Sequence, residues 1–212
     1  MKRQSQDKRQ MPTIGRDAGG AGSASACGHH PEAKVTDVLM DEHRVIERVL
    51  AVVEQLVEVK GEPPLAKWKL ALDFFRHFAD QCHHYKEEKV LFPAMETHGV
   101  PCEGGPIGMM LLEHEEGRGH VRSMQHAVSL VEVNNPAGKD ILINSARAYV
   151  RLLREHIQKE DEVLFTIASD VIPDAEQRSL SKMLEKHEAE EIGTGVHEKY
   201  LKIVEELEKC GN

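Results

Sequence analysis

The sequence predicts an all-α protein: an up-down-up-down four-helix bundle with a C-terminal fifth helix and a disordered N-terminal tail. Three observations predict it. Apolar residues recur at three- and four-residue steps along four long stretches, the rhythm of one buried helix face. Clusters of glycine and proline separate those stretches by short connections, and short connections force successive helices to run antiparallel. Aromatic residues make up only 4% of the 212 residues and charged residues 30%, a balance better suited to helices than to a sandwich, and no alternating strand pattern competes.

Residues 1–33 are polar, rich in Gly, Ser and Ala and without periodicity, so they bury too little surface to offset the entropy of ordering. Their Cys27, His29 and His30 are read as incidental. From Val35 a helical face appears through Thr36, Leu39, His43, Ile46, Leu50, Val53 and Val57, stopped by Gly61. After Pro63 and Pro64, a second face carries Leu72, Phe75, Ala79, His83, Glu87, Val90 and Ala94 toward Gly99, and Pro93 is expected to kink or fray its last turns. The third face holds Ile107, Leu111, His114, Arg118, Val121 and Val128. The fourth holds Tyr149, Leu152, His156, Glu160, Val163 and Ile167, with Pro173 at its exit. A fifth amphipathic segment spans about 174–209, weakened by Gly193 and Gly195, where a bend is expected. Three regions result: a flexible tail (1–33), the bundle (34–172) and a helical extension packing on it (173–212).

Composition narrows the function. A formal charge of −9, from 27 Lys plus Arg against 36 Asp plus Glu, repels a phosphate backbone, so nucleic acid is not an expected partner. No stretch approaches the roughly 20 apolar residues of a membrane span and the start has no apolar secretory core, which points to the cytoplasm. The four cysteines form no C-x-x-C pair, and a reducing compartment fits. The 13 histidines stand out, because imidazole titrates near neutrality and is the commonest metal ligand.

Their placement follows an internal repeat. His83 to Phe92 (HHYKEEKVLF) matches His156 to Phe165 (HIQKEDEVLF), and upstream Leu39 to His43 (LMDEH) matches Met110 to His114 (MLLEH). One helix pair is therefore used twice. Residues four apart stand above one another on a helix, so each H-x-x-x-E directs an imidazole and a carboxylate to one region of the core. The other two helices add one histidine each. The resulting set is His43, His83, Glu87, His114, His156 and Glu160. Mixed nitrogen and oxygen donors suit iron, manganese or zinc, and a carboxylate with two oxygens can bridge a pair of cations. Left without partners, six buried polar groups would each cost about 1–3 kcal/mol. Aligning V-L-F in the two copies makes His84 and Glu88 rim groups, supports behind the ligands, or solvated neighbours.

These residues resemble the hemerythrin-like, or HHE cation-binding, domains. The resemblance rests on Glu42-His43, Glu113-His114, the H-x-x-x-E-E-x-x-L-F-P of His83 to Pro93 and the H-x-x-x-E-D-x-V-L-F of His156 to Phe165, and covers about 35–170. It implies a non-haem centre of two iron ions bridged by carboxylates and an oxo or hydroxo group, with manganese or zinc as substitutes. It further implies that the centre binds, senses or reduces a small diatomic ligand or peroxide (dioxygen, nitric oxide or hydrogen peroxide), with an electron donor or a regulatory protein as a possible partner. Oxygen-carrying members offer H-x-x-x-H on the third helix, whereas here Arg118 stands four residues after His114. That departure predicts an incomplete carrier ligand set with an open position. Arg118 itself is a surface charge, a clamp on a bridging carboxylate or a holder of an anionic oxygen ligand. Tyr149 is a hydrogen-bond or proton donor, or simple core. In a third H-x-x-x-E, His187 and Glu191, either Glu191 or Glu188 supplies a missing ligand or covers the site, or the segment is a solvated, Glu-rich face. Two further readings compete with oxidant chemistry: an iron-responsive binding module without turnover, and a bundle in which the repeat survives only as structure.

Overall fold

A computed structural model describes residues 33–188 and 196–209. Among them it is all-helical, with six helices. We label these α1 (Val35–Val57), α2 (65–97), α3 (Pro106–Glu132), α4 (137–171), α5 (Asp174–His187) and α6 (Val196–Lys209). The expected fifth segment is thus two helices. Gly193 and Gly195, Glu191, and the Cys27, His29 and His30 trio lie outside the described residues, as does the side chain of His187.

Two of the long helices are not α-helical throughout. In α2, wide π turns run over Phe75–His84 and Glu87–Leu91; in α4 one runs over Glu160–Leu164. The shorter π segments occupy the same place in both copies of the repeat, starting at its glutamate. Such bulges recur at functional sites because they shift the register of a helix face. They also account for Pro93: the Phe92 N–H already reaches back to the Glu87 carbonyl in the wide turn, and Pro93 sits in the first turn of the α-helical Phe92–Thr97. A kink or a fray was expected at Pro93; the helix does not fray but runs on to Thr97, because a proline at a first turn loses no bond.

The four long helices close a ring of contacts, α1 on α2, α2 on α3, α3 on α4 and α4 on α1, the α3–α4 contact being the most extensive. The core divides in two. One apolar cluster holds Val49, Leu50, Val53, Trp68, Phe74, Phe75, Met124, Ala146 and Leu153. The other holds Leu39, Leu91, Phe92, Met95, Ile107, Leu164 and Phe165. Along α1 and α3 the chain passes the second cluster first and the first cluster last; along α2 and α4 the order is reversed. Between the clusters every long helix carries a buried polar group: His43, His83 and Glu87, His114, and His156 and Glu160. The C-terminal helices cover opposite parts, α5 with Leu180 and Leu184 on the second cluster and α6 with Tyr200, Val204 and Leu207 on the first. No helix among the described residues is long and apolar enough to cross a membrane.

Candidate metal centre

The repeat places its six polar residues together. His43, His83, Glu87, His114, His156 and Glu160 are each 1% exposed or less. Their donor atoms form two overlapping groups. The first contains His43, His83, Glu87 and Glu160, and the second contains Glu87, His114 and His156 together with His84. Glu87 divides its oxygens between them: Oε1 lies 3.4 Å from His83 Nε2 and 3.9 Å from His43 Nε2, and Oε2 lies 3.5 Å from His114 Nε2. Glu160 also straddles the groups, with Oε2 at 3.2 Å from both His43 and His156 Nε2 and Oε1 at 4.0 Å from His114 Nε2. The His114 and His156 Nε2 atoms face one another at 3.1 Å.

Whether these residues fit a cation is decided by what the inward atoms lack. His43 and His83 Nε2 and all four oxygens of Glu87 and Glu160 are buried without a hydrogen-bond partner. A buried carboxylate in that condition is costly unless a positive charge reaches it. Ligands about 2.0–2.2 Å from a common ion stand roughly 3 Å or a little more apart, close to the 3.2–3.5 Å separations found here. The donor set of imidazoles and carboxylates suits a transition metal. The residues present therefore fit a pair of cations sharing Glu87 and Glu160.

The outward nitrogens are held as regularly as the inward ones are bare. His43 Nδ1 meets Asp161 at 2.7 Å, His83 Nδ1 meets Glu42 at 3.0 Å, His114 Nδ1 meets Glu88 at 2.8 Å and His156 Nδ1 meets Glu113 at 3.0 Å. Each carboxylate fixes a ring's tautomer and its orientation, the arrangement that metal-ligating histidines ordinarily have. Each is in turn paired with a cation: Asp161 with Arg44, Glu42 with the buried Lys86, Glu88 with Arg118 and Glu113 with Lys159. Rings pack in the same symmetry, Phe165 on His43 and Phe92 on His114, both phenylalanines coming from the repeated V-L-F.

Electrostatics agree with the geometry. Burial pushes the His83 and His156 rings down, but the charges of Glu87 and Glu160 and the hydrogen bonds the rings donate to Glu42 and Glu113 raise both to about 10. Burial opposes ionisation of Glu160, yet the charges of the neighbouring His156 and His43 rings hold its carboxyl well below the usual range. The inner set thus attracts positive charge. His84 goes the other way: burial, reinforced by the neighbouring His114 and His83 charges, keeps it well below the ordinary imidazole value, so its ring is neutral with a lone pair available.

His84 corrects the sequence reading. The V-L-F alignment left it as a rim group, a support or a solvated neighbour, but it is 5% exposed and stacks on His114 at 3.9 Å, inside the second donor group. The signal lay in the repeat: its counterpart Ile157 is apolar, and Ile157 is core in the structure. α2 thus places a fifth imidazole in the second donor group, beside the α3 position where Arg118 stands. Arg118 is a clamp, though not on a bridging carboxylate. Its Nε binds Asp80, Nη1 Glu115 and Nη2 Glu88, each at 2.7 Å, so its charge is spent on the support of His114. Tyr149 is buried, with its ring edge-on to Phe75. Of the outer carboxylates only Glu88 had been singled out in the sequence; Glu42, Glu113, Asp161 and Lys86 went unassigned, although Glu42 and Glu113 precede matched histidines and Asp161, like Glu88, follows a matched glutamate.

Comparison with known proteins agrees with this centre. Uncharacterized protein Rv1995 of Mycobacterium tuberculosis and uncharacterized protein Mb2018 of Mycobacterium bovis are each 24% identical over 221 residues, covering 95% of this chain and 86% of the relative. No solved structure matches it significantly. The family model described as the hemerythrin HHE cation-binding domain matches residues 34–168, the span that holds all four long helices but for the last residues of α4. The chain belongs to the hemerythrin HHE cation-binding family.

Proposed function

We propose that this chain is a cytoplasmic non-haem di-iron protein that binds, senses or reduces a small oxidant such as dioxygen, nitric oxide or peroxide. The bare inward atoms of Glu87 and Glu160 carry the reading. In it, His43 and His83 hold one ion, His84, His114 and His156 hold the other, and the two glutamates are shared. The reversal of core order along successive helices supports an up-down-up-down arrangement around this slab. Iron, when bound there, supplies reversible one-electron chemistry at an inner-sphere ligand. The chain's own part is to orient and exclude. Asp161, Glu42, Glu88 and Glu113 hold the outer ring nitrogens so that Nε2 of His43, His83, His114 and His156 faces inward. Phe92 and Phe165 keep water from two of the rings, and a dry surrounding strengthens each charge interaction.

Anaerobic purification, metal counting and optical spectra before and after each oxidant test the reading. Two irons per chain and a spectral change on oxidation are expected. Clearly substoichiometric iron, manganese and zinc would leave only a structural bundle. A second reading, an iron-responsive module without turnover, is favoured by one contact. Lys86, which holds Glu42 behind His83, is also held at 2.8 Å by Glu188 at the end of α5, so the C-terminal extension is joined to the centre. That reading predicts strong stabilisation by iron and no consumption of oxidant.

A further inference from the structure

A cavity of about 320 Å³ opens between α2, α3 and α4. His84 and Arg118 form its inner wall, so it backs directly onto the second donor group. Around it stand Arg76, Arg122, Gln125 and Tyr149. Arg76 and Arg122 are exposed and make no ion pair or hydrogen bond among the described residues. Arg118 is fully engaged, and the wall's Asp80 is held by it. Tyr149 is only 2% exposed, and its hydroxyl has no hydrogen-bond acceptor among the described residues. Burial, with the Asp80 charge, raises that hydroxyl far above its ordinary value, so it is a donor throughout the physiological range. Gly117 leaves the floor open: a Cβ there would meet Tyr149 at 3.5 Å. The cavity thus offers two guanidinium groups and a buried hydroxyl without acceptors, beside the His84 ring.

We propose that this cavity is a binding site for a small inorganic anion, which it collects next to the cation centre. Donors without acceptors and two uncompensated positive charges select an anion over a neutral molecule of the same size, and charged clefts raise association rates about 10–10³-fold. The inference extends the reading above by naming a ligand class for the flank of the centre at His84, and rests on it only for the role of the anion, not for its binding.

Nitrite is a suitable probe, titrated calorimetrically into the full-length chain, both metal-free and iron-loaded. Wild type should bind one nitrite in each form. Arg76→Glu with Arg122→Glu should weaken binding at least tenfold, and Tyr149→Phe about tenfold through loss of a hydrogen bond to a charged group. Lys60→Glu with Lys182→Glu, which moves the same charge elsewhere on the surface, should leave it unchanged. No binding by wild type, or equal loss in both double variants, would overturn the proposal. Metal counting on the same samples separates the two ideas: a chain that binds nitrite but takes up no iron when iron is offered sinks the di-iron reading alone, and a chain that loads iron but binds nitrite in neither form sinks this one alone.

Discussion

Lys86 and Lys159 occupy the same place in the two copies of the repeat and hold equivalent carboxylates, yet their removal should cost very different amounts. Lys86 is fully buried and lies 2.5 Å from Glu42, itself 2% exposed. Lys159 has a side chain 41% exposed, and its partner Glu113 is 12% exposed. Burial resists the charge on Glu42, and the Lys86 charge is the largest influence opposing it. For Glu113 the His156 hydrogen bond is the largest influence and Lys159 comes after it. Lys86→Met therefore strands a buried carboxylate, which costs about 3–5 kcal/mol, with the His83 hydrogen bond favouring the lower end. Lys159→Met removes an exposed pair worth about 1 kcal/mol or less. At about 2–4 °C per kcal/mol for a domain of this size, the first should lower Tm by roughly 6–20 °C and the second by a few degrees at most. Urea unfolding of the metal-free variants measures both. Glu42→Gln added to Lys86→Met should recover much of the loss, because the stranded charge is gone. Equal costs at the two positions, or no recovery in the double variant, would refute the reasoning.

Two glycines in helical segments should respond with opposite sign. Gly117→Ala in α3 places its Cβ in ordinary contact with Tyr149 and should stabilise by about 0.5–1 kcal/mol, whereas at Gly138 a Cβ would lie 2.7 Å from the Val131 backbone nitrogen, so Gly138→Ala should lower Tm. Glu113→Gln or Asp161→Asn keeps each side chain's shape but weakens the grip on His156 or His43, and competition with a chelator should show cation affinity reduced about 10–100-fold. Unchanged affinity in both would mean that the outer carboxylates serve only stability.

How much of the molecule the sequence disclosed follows from what repeats and periodicity can carry. His43, His83, Glu87, His114, His156 and Glu160 were legible because duplication places each polar residue twice in one register, and a chance coincidence would not recur in both halves. The helix limits were legible from Pro63, Pro64, Gly99 and the NNPAG turn. The π turns were not, since an i→i+5 bond leaves no residue-type signature at Phe75–His84. The hydrogen bonds to the outer nitrogens were illegible for a different reason. Glu88 binds a ring on α3 and Asp161 a ring on α1, so those pairings depend on which helices are neighbours, a tertiary fact. Arg118 stayed open among three roles for the same reason, because three carboxylates from α2 and α3 decide which one it takes.

The two halves differ most at one position, and the difference is open to a direct test. Position 84 is histidine where its counterpart Ile157 is apolar core, so the second donor group has an imidazole that symmetry would not supply. In the metal-free protein that histidine is a liability: it is buried, held neutral, and its Nδ1 is without a hydrogen bond, 3.6 Å from Asp80. His84→Ile installs the residue that the other half already accommodates. If His84 is a ligand, the variant should gain about 1–3 kcal/mol when metal-free, because an unsatisfied polar group is removed. It should also lose affinity for one of its two cations while binding the other as before. If His84 is only packing against His114, the signs reverse: the metal-free variant loses stability and both cations bind unchanged. Stability and metal stoichiometry measured on one preparation distinguish the two, since no packing argument makes a core substitution stabilise the empty protein and weaken a single cation.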